Sequence, residues 1–513
     1  MAEHAAGKVW LVGAGPGAFE LITLRGADVM RRAQVVIYDH LVNDDLLELA
    51  PAGAELIYAG KKGGATYALS QEEINRLVIG HARAGKRVVR LKGGDPSIFG
   101  RGGEEMVALA AAEVEFEVVP GVTAATAAPA FAGIPLTHRD YGSFVTVVTG
   151  HQGRTKTAGG AVPWREFARA GAQGGTLVLL MATARMGELM AGLIEHGMSA
   201  QTPAAIIQSA TTAAQKTVIA TVGTLEQTAR AAGIEPPAVI VVGQCVRLGA
   251  QLRWFERKPL FGRQIVVTRA REKAAALARE LGDMGAQVVH VAAIETAEPD
   301  SYAELDSALS RLAEFDWVIF TSAAGVECFL ARLARLNRDI RELSRARIAA
   351  IGPATASRLR ACGLTVAAMP AQYRSEAIIE ALGEAQIRNA RLLLPRAQVA
   401  GQTLPQLLLA RGARAVEDAP AYKTVKPAGP RAKRVGEAIR AGALDLVTFT
   451  SPSTVINFHT MFGPQAASLK AAAIGPVTAA ACRKLGFEVV AEAREHTIGG
   501  LVRAIRDYFS PSG

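Results

Sequence analysis

The residues best suited to chemistry lie near the start of this 513-residue chain. The run VWLVGAGPGA begins as an apolar strand and passes through Gly13, Gly15 and Ala18 into a helical stretch, FELITLRGADVMRRA. Gly13-x-Gly15-x-x-Ala18 satisfies the dinucleotide fingerprint, and Asp39 ends the next strand where a ribose-binding acid belongs. Pro16 stands inside the loop, however, and has no backbone N–H to offer a pyrophosphate. The bare motif therefore leaves open a nicotinamide or flavin enzyme and a plain glycine turn between strand and helix. Further on, KGGDP sets Gly93 and Gly94, which let backbone approach a ligand closely, beside Asp95. That carboxylate can face a cation or ribose hydroxyls, or it can cap an Asp-Pro turn. IGPAT and IGPVT, ending at Thr355 and Thr478, read as strand, turn and helix start. Their free amides can hold an anion, or Gly-Pro makes a tight turn and Thr caps the helix.

These residues need a scaffold. Over residues 8–250, Val- and Ile-rich runs such as QVVIYD, RVVRLKGG, FEVVPG, TLVLLMA and AVIVVG alternate with helical stretches. Continuous apolar strands that end at Gly, Asp or Thr predict α/β layers with both sheet faces covered. The pattern breaks over 247–263 and a new strand, QIVVTRA, starts at Gln264. The predicted division is 1–250, a linker over 251–262, and 263–513. The last part echoes itself: QIVVTRA by LLLPRA, FTSAAGVECF by FTSPSTVINF, and IGPATASRLRACGLTV by IGPVTAAACRKLGFEV. Two copies are too few for a solenoid, so two α/β lobes with a cleft between them are expected. Their predicted bounds are about 263–297 plus 424–508, and 298–423.

Composition excludes several classes. Half of the residues are hydrophobic and a fifth charged, which rules out a disordered chain. The apolar runs fall far short of the roughly 20 residues of a membrane span, and MAEHAAGKVW shows no signal peptide. Cys245, Cys328, Cys362 and Cys482 form no CxxC pair, so a reducing cytoplasm is expected, with neither a disulfide framework nor a metal site. The net charge of +10 comes without blocks of like charge, and aromatics are 5%, so no nucleic-acid partner is expected. A polyanionic small substrate suits the charge equally well.

Taken in order, VGAGPG, YDHLV, GKKGG, VVRLKGGDPSIFGRGGEE, VVPGVTAATAAPAFAGIPLTHRD and VTVVTGH closely resemble the uroporphyrinogen-III C-methyltransferases. These are tetrapyrrole methylases that use S-adenosylmethionine, and the resemblance spans residues 8–250. It implies a cleft between two α/β lobes, not a nicotinamide site. By position it implies that Pro16, Gly93, Gly94, Asp95, Ile98, Thr123, Ala124, Met181 and Ala210 line the cofactor pocket. It implies Asp39 as proton acceptor and Lys61 as proton donor, with partnering a substrate carboxylate as the other role open to Lys61. Arg101, His138 and Arg139 would hold substrate propionates and acetates, although His138 can equally be a structural histidine. Three positions depart from the family pattern: His40 stands where Arg is usual, Ser97 where Phe or Val is usual, and Ala210 where Gly is expected. A homodimer through residues 8–250 is implied as well.

The remainder resembles uroporphyrinogen-III synthase through the paired FTS and IGPxTA segments, LLLPRA, and AYKT at 421–424. That family closes linear hydroxymethylbilane with inversion of the last ring and loss of water, which is largely positioning work. Tyr422 is then the candidate for assisting hydroxyl loss, with packing as its other reading. Thr355 and Thr478 would grip carboxylates, joined by Ser322 and Ser451. The expected whole is a cytoplasmic bifunctional enzyme that makes uroporphyrinogen III and methylates it twice to precorrin-2, releasing S-adenosylhomocysteine. The competing reading makes the C-terminal half a non-catalytic tetrapyrrole sensor. No further Gly-rich dehydrogenase segment follows, so neither precorrin-2 oxidation nor iron insertion is expected.

Overall fold

The computed structural model describes residues 7–60, 69–150, 163–269, 271–292, 295–370, 377–425 and 430–510. Two compact units emerge. One comprises Met1–Ile265, Arg279–Val288 and Arg506–Gly513; the other comprises Val266–Ala278 and Val289–Ile505.

The first unit contains two five-stranded sheets. One is wholly parallel, in the spatial order Glu55–Tyr58, Val35–Tyr38, Arg87–Lys92, Lys8–Gly13, Phe116–Val119. Its middle strands are largely apolar because helices cover both faces, with Arg90 and Lys92 of Arg87–Lys92 the buried exceptions. Val12, Val36, Val89 and Leu91 pack on one face, and Val9, Leu11, Ile37 and Val88 on the other. The second sheet runs Phe144–Thr149, Gly175–Leu180, Ala238–Val242, Pro203–Gln208, Lys216–Thr221. Its first pair is parallel and the rest are antiparallel. Strand Phe144–Thr149 was expected to be covered on both faces. It lies at the sheet edge and leaves Phe144 and Val147 exposed. The stretch 251–262, expected as a linker, is packed: Phe255 and Leu260 are buried, and Phe131 stacks against Trp254 and Phe255.

Two more sheets follow. One has the order Gln287–His290, Gln264–Val267, Leu446–Phe449, Lys470–Ala473, Val489–Glu492. The other has the order Glu295–Ala297, Ala415–Val425, Arg391–Ala397, Trp317–Phe320, Arg347–Ala350. The echoed segments take matching local forms. Ser322 caps helix Ala323–Arg335 after one FTS strand, and Ser451 caps helix Pro452–Phe462 after the other. In each IGPxT segment the N-cap is glycine, Gly352 or Gly475, with proline at the first turn.

Candidate active sites

Four adjacent parallel strands of the first sheet deliver their loops to one edge, and the loops meet backbone to backbone. Gly15 N–H donates to Gly94 O at 3.2 Å, and Gly94 N–H donates to Gly15 O at 2.7 Å. A Cβ on Gly13 would lie 2.5 Å from Gly121 Cα, and one on Gly121 would lie 2.3 Å from Gly94 O. Only glycine fits such a crossing. Gly15 and Gly94 also take positive φ, +79° and +68°, which glycine alone adopts without penalty. A second-lobe loop closes on the first: Ala18 N–H donates to Thr211 Oγ1 at 3.0 Å, and a Cβ on Gly17 would meet Ala210 O at 3.3 Å.

Within this frame the predicted residues separate by role. Pro16, Asp39, Gly93, Gly94, Asp95, Thr123 and Ala124 share the C-terminal edge of the first sheet. Ala210 joins them from the second lobe. Met181 follows strand Gly175–Leu180 of the second sheet, and its side chain is 53% exposed. Asp95 spends both carboxylate oxygens on backbone, accepting from Ser97 N–H at 2.7 Å and from Gly121 N–H at 2.9 Å. It thus ties the KGGDP loop to the GVTAA loop, which is the turn-capping reading. Thr123 caps helix Ala124–Phe131: its hydroxyl accepts from Ala125 N–H at 3.3 Å, and its carbonyl accepts from Thr126 N–H at 3.2 Å. Ile98 and Arg101 are exposed, and Arg101 pairs with Glu104 at 3.1 Å. His138 holds a turn, its Nδ1 accepting from Asp140 N–H at 3.1 Å, while Arg139 is exposed. Lys61 lies outside the described residues.

Asp39 is held from two sides. Leu41 N–H donates to its Oδ1 at 3.2 Å, and Arg90 Nη2 stands 3.7 Å from its Oδ2. Below it sits a charged cluster missing from the sequence-based expectations. Arg90, Lys92 and Glu105 are all buried, and Glu105 Oε1 accepts from Arg90 at 3.2 Å and Lys92 at 2.8 Å. Arg90 also donates to the carbonyls of Ile37 and Leu91. Glu105 Oε2 is buried and has no hydrogen-bond partner among the described residues. Burial, and then the neighbouring Arg90 charge, push the Lys92 ammonium below its usual range. Burial, followed by the Asp39 and Asp44 carboxylates, raises the Tyr58 phenol. The signal was visible, since two cations spaced by two on a central apolar strand demand a buried carboxylate.

In the second unit, Tyr422 lies near the end of strand Ala415–Val425 beside a β-bulge, where the register with Arg391–Ala397 shifts. Its hydroxyl is 3.0 Å from Ser322 Oγ, which also accepts from Gly325 N–H at 3.0 Å. Ser322 and Tyr422 are therefore brought together. Ser451 and Thr478 follow strands of the other sheet, and Ser451 bonds Ser453 and Thr454. Thr355 and Thr478 are each only 4% exposed, and the glycine N-caps of their helices make no side-chain capping bond. Arg396, also overlooked as a site residue, is buried and forked onto Asp418, with a further bond to Gly401 O.

Residues 8–226 match the family of tetrapyrrole (corrin/porphyrin) methylases, and residues 275–503 match uroporphyrinogen-III synthase HemD. The porphyrin biosynthesis protein HemD of Ruminiclostridium josui is 37% identical over 503 residues, 98% of this chain and 97% of that protein. Siroheme synthase 1 of Serratia proteamaculans is 49% identical over 257 residues, 50% of this chain and 52% of its own length. The chain thus spans about half the length of such siroheme synthases. A crystal structure of uroporphyrin-III C-methyltransferase from Thermus thermophilus, complexed with S-adenyl homocysteine, is 41% identical. It covers 47% of this chain and 99% of that one, with a TM-score of 0.39. With both family models matched in order and a relative aligned over 98% of this chain and 97% of its own length, the chain belongs to the fused family that joins an S-adenosylmethionine-dependent tetrapyrrole methylase to uroporphyrinogen-III synthase, an enzyme of tetrapyrrole biosynthesis with both activities.

Proposed function

We propose that the C-terminal half closes hydroxymethylbilane to uroporphyrinogen III and that the N-terminal half methylates this product twice, giving precorrin-2. The observation that carries the methylase reading is the glycine crossing at Gly13, Gly94 and Gly121, with Asp39 on the adjacent strand end. The residues fit S-adenosylmethionine: a Cβ on Gly94 would meet nothing nearer than the Ala124 amide nitrogen at 3.8 Å, so backbone there can be approached closely. When bound, this cofactor supplies an electrophilic methyl group on a sulfonium. Pro16, Gly93, Gly94, Ile98, Thr123, Ala124, Met181 and Ala210 line its pocket, and Asp95 shapes that pocket by locking two loops.

Asp39, kept close to Arg90, accepts the proton that the macrocycle sheds once a ring carbon has been alkylated. Lys61 donates a proton or neutralises a carboxylate. Arg101, His138 and Arg139 receive substrate acetates and propionates. In the synthase half, Tyr422 assists hydroxyl loss, and the helix starts at Thr355 and Thr478, with Ser322 and Ser451, position the carboxylates. We place the functional division at 1–250 and 263–513, with synthase lobes of about 263–292 plus 430–508 and 295–425, since Glu295–Ala297 pairs with Lys423–Val425 and not with the strands of the first lobe as the sequence suggested. A homodimer through residues 8–250 suits the exposed apolar edge strand, and a cytoplasmic site suits four free cysteines.

The test is Asp39→Asn assayed with uroporphyrinogen III and S-adenosylmethionine across pH. Methylation is expected to fall about 100-fold or more with cofactor affinity retained. A full rate at every pH would remove Asp39 from the reaction.

A further inference from the structure

Residues 227–274 are matched by neither family model, yet part of this stretch is wired to the cofactor loops. Glu256 Oε1 accepts from Gln215 Nε2 at 2.9 Å and from the Thr217 hydroxyl, and its Oε2 stands 3.5 Å from Arg253. The buried Gln215 passes the contact on, because its Oε1 accepts from Thr211 N–H at 2.9 Å. Thr211 in turn receives Ala18 N–H from the loop that carries Pro16. Thr211 is β-branched and has φ +70°, a strained backbone that persists only where its surroundings fix it.

A second route starts two residues earlier. Trp254 Nε1–H donates to Ala130 O at 2.9 Å, and the Trp254 and Phe255 rings pack 5.0 Å and 4.8 Å from that of Phe131. Ala130 and Phe131 end the helix whose start is Thr123 and Ala124. Gln215 joins the two routes, since its Nε2 also donates to Phe131 O at 3.3 Å. Both N–H donors and the oxygen of the Gln215 amide are thereby engaged, and Glu256 is the charged partner among the three that fix which way it points.

We infer that Glu256 is a positioning residue for S-adenosylmethionine: through Gln215 it holds the 209–212 loop against the glycine loop, while its neighbours Trp254 and Phe255 hold the helix that opens at Ala124. This rests on the cofactor reading given above. Without the carboxylate, Gln215 loses its charged partner, its hold on the strained turn at Thr211 weakens, and the cofactor loops separate.

The test titrates the full-length protein calorimetrically with S-adenosylhomocysteine. Glu256→Ala is expected to weaken binding about threefold to thirtyfold. Glu256→Gln, whose amide oxygen can still accept from Gln215 and Thr217, is expected to restore most of it. Combining Glu256→Ala with Gln215→Leu is expected to cost no more than the worse single change, as members of one network do. Equal affinity in wild type and Glu256→Ala, even with a lowered melting temperature, would make the residue merely structural and overturn the inference. Should Glu256→Ala fail to fold, amide exchange of the wild type decides: S-adenosylhomocysteine is expected to slow exchange in 209–217 and in 253–257 together. Slowing confined to 209–217 would overturn the inference. No binding by the wild type would instead strike the cofactor reading itself, and this inference with it.

Discussion

The methylase half and the synthase half both place their candidate groups at the ends of parallel strands, yet they hold them by different means. In the first, Gly13, Gly94 and Gly121 cross at backbone contact, and a buried Arg90–Glu105–Lys92 cluster lies beneath Asp39. In the second, hydroxyls and helix starts predominate: Ser322 both caps a helix and meets Tyr422, and the IGPxT helices begin at glycines without a side-chain cap. The difference follows from the chemistry each half performs. Methyl transfer needs a cradle in which donor and acceptor meet at a fixed distance, so backbone itself is packed to tolerance. Ring closure of a polyanionic chain needs carboxylates held at several points and one proton-bearing group near the leaving hydroxyl.

If that contrast is right, a single methyl group should harm the halves unequally. Gly121→Ala puts a Cβ against backbone on two sides, and backbone cannot step aside. Methylation is expected to drop below detection while cyclisation of hydroxymethylbilane continues, and assays of both reactions on one preparation check this. Glu105→Ala strands two buried cations and is expected to cost about 3–5 kcal/mol of stability in the methylase half, as breaking a buried ion cluster does. Denaturant melts of the variant measure that.

Tyr422→Phe sharpens the comparison from the other side. Cyclisation is expected to slow about 100-fold with methylation of supplied uroporphyrinogen III unchanged. The paired FTS serines give a smaller and more discriminating contrast. Ser451→Ala and Ser322→Ala each remove a helix cap worth about 1 kcal/mol. Only Ser322→Ala also removes the partner of Tyr422, so only it is expected to slow cyclisation beyond the effect of lost stability. The smallest effect concerns pH. Folding holds the Lys92 ammonium below its usual range, so between its folded value and about 10.5 the unfolded chain binds more protons than the folded one. Lys92 therefore makes stability rise with pH across that window, and Lys92→Met is expected to flatten the rise in melts recorded from neutral to alkaline pH.

Much of this was legible in the sequence for a physical reason. Close backbone crossings admit only glycine, so GAGPG and KGGDP advertise themselves, and apolar strands such as VWLV mark a doubly covered sheet. The synthase half is written in shorter motifs because a capping serine and a free helix start tolerate many neighbours. What stayed hidden depends on pairing across long separations. The partner of Arg90 and Lys92 lies on another element, and the two bonds of Asp95 appear only once the Gly121 loop is in place. Packing of 251–262 also escaped notice, since Pro259, Gly262 and several charges made that stretch read as a linker. Trp254 and Phe255 were the overlooked signal there: two adjacent large aromatics are seldom left in a free tether.

The central claim, that both halves turn over successive substrates, is tested most directly by giving purified full-length protein fresh hydroxymethylbilane with and without S-adenosylmethionine and identifying the products. The account predicts the type III macrocycle alone when the methyl donor is withheld and a dimethylated product when it is present. Formation of only the type I ring, at the rate of spontaneous closure in either condition, would contradict it.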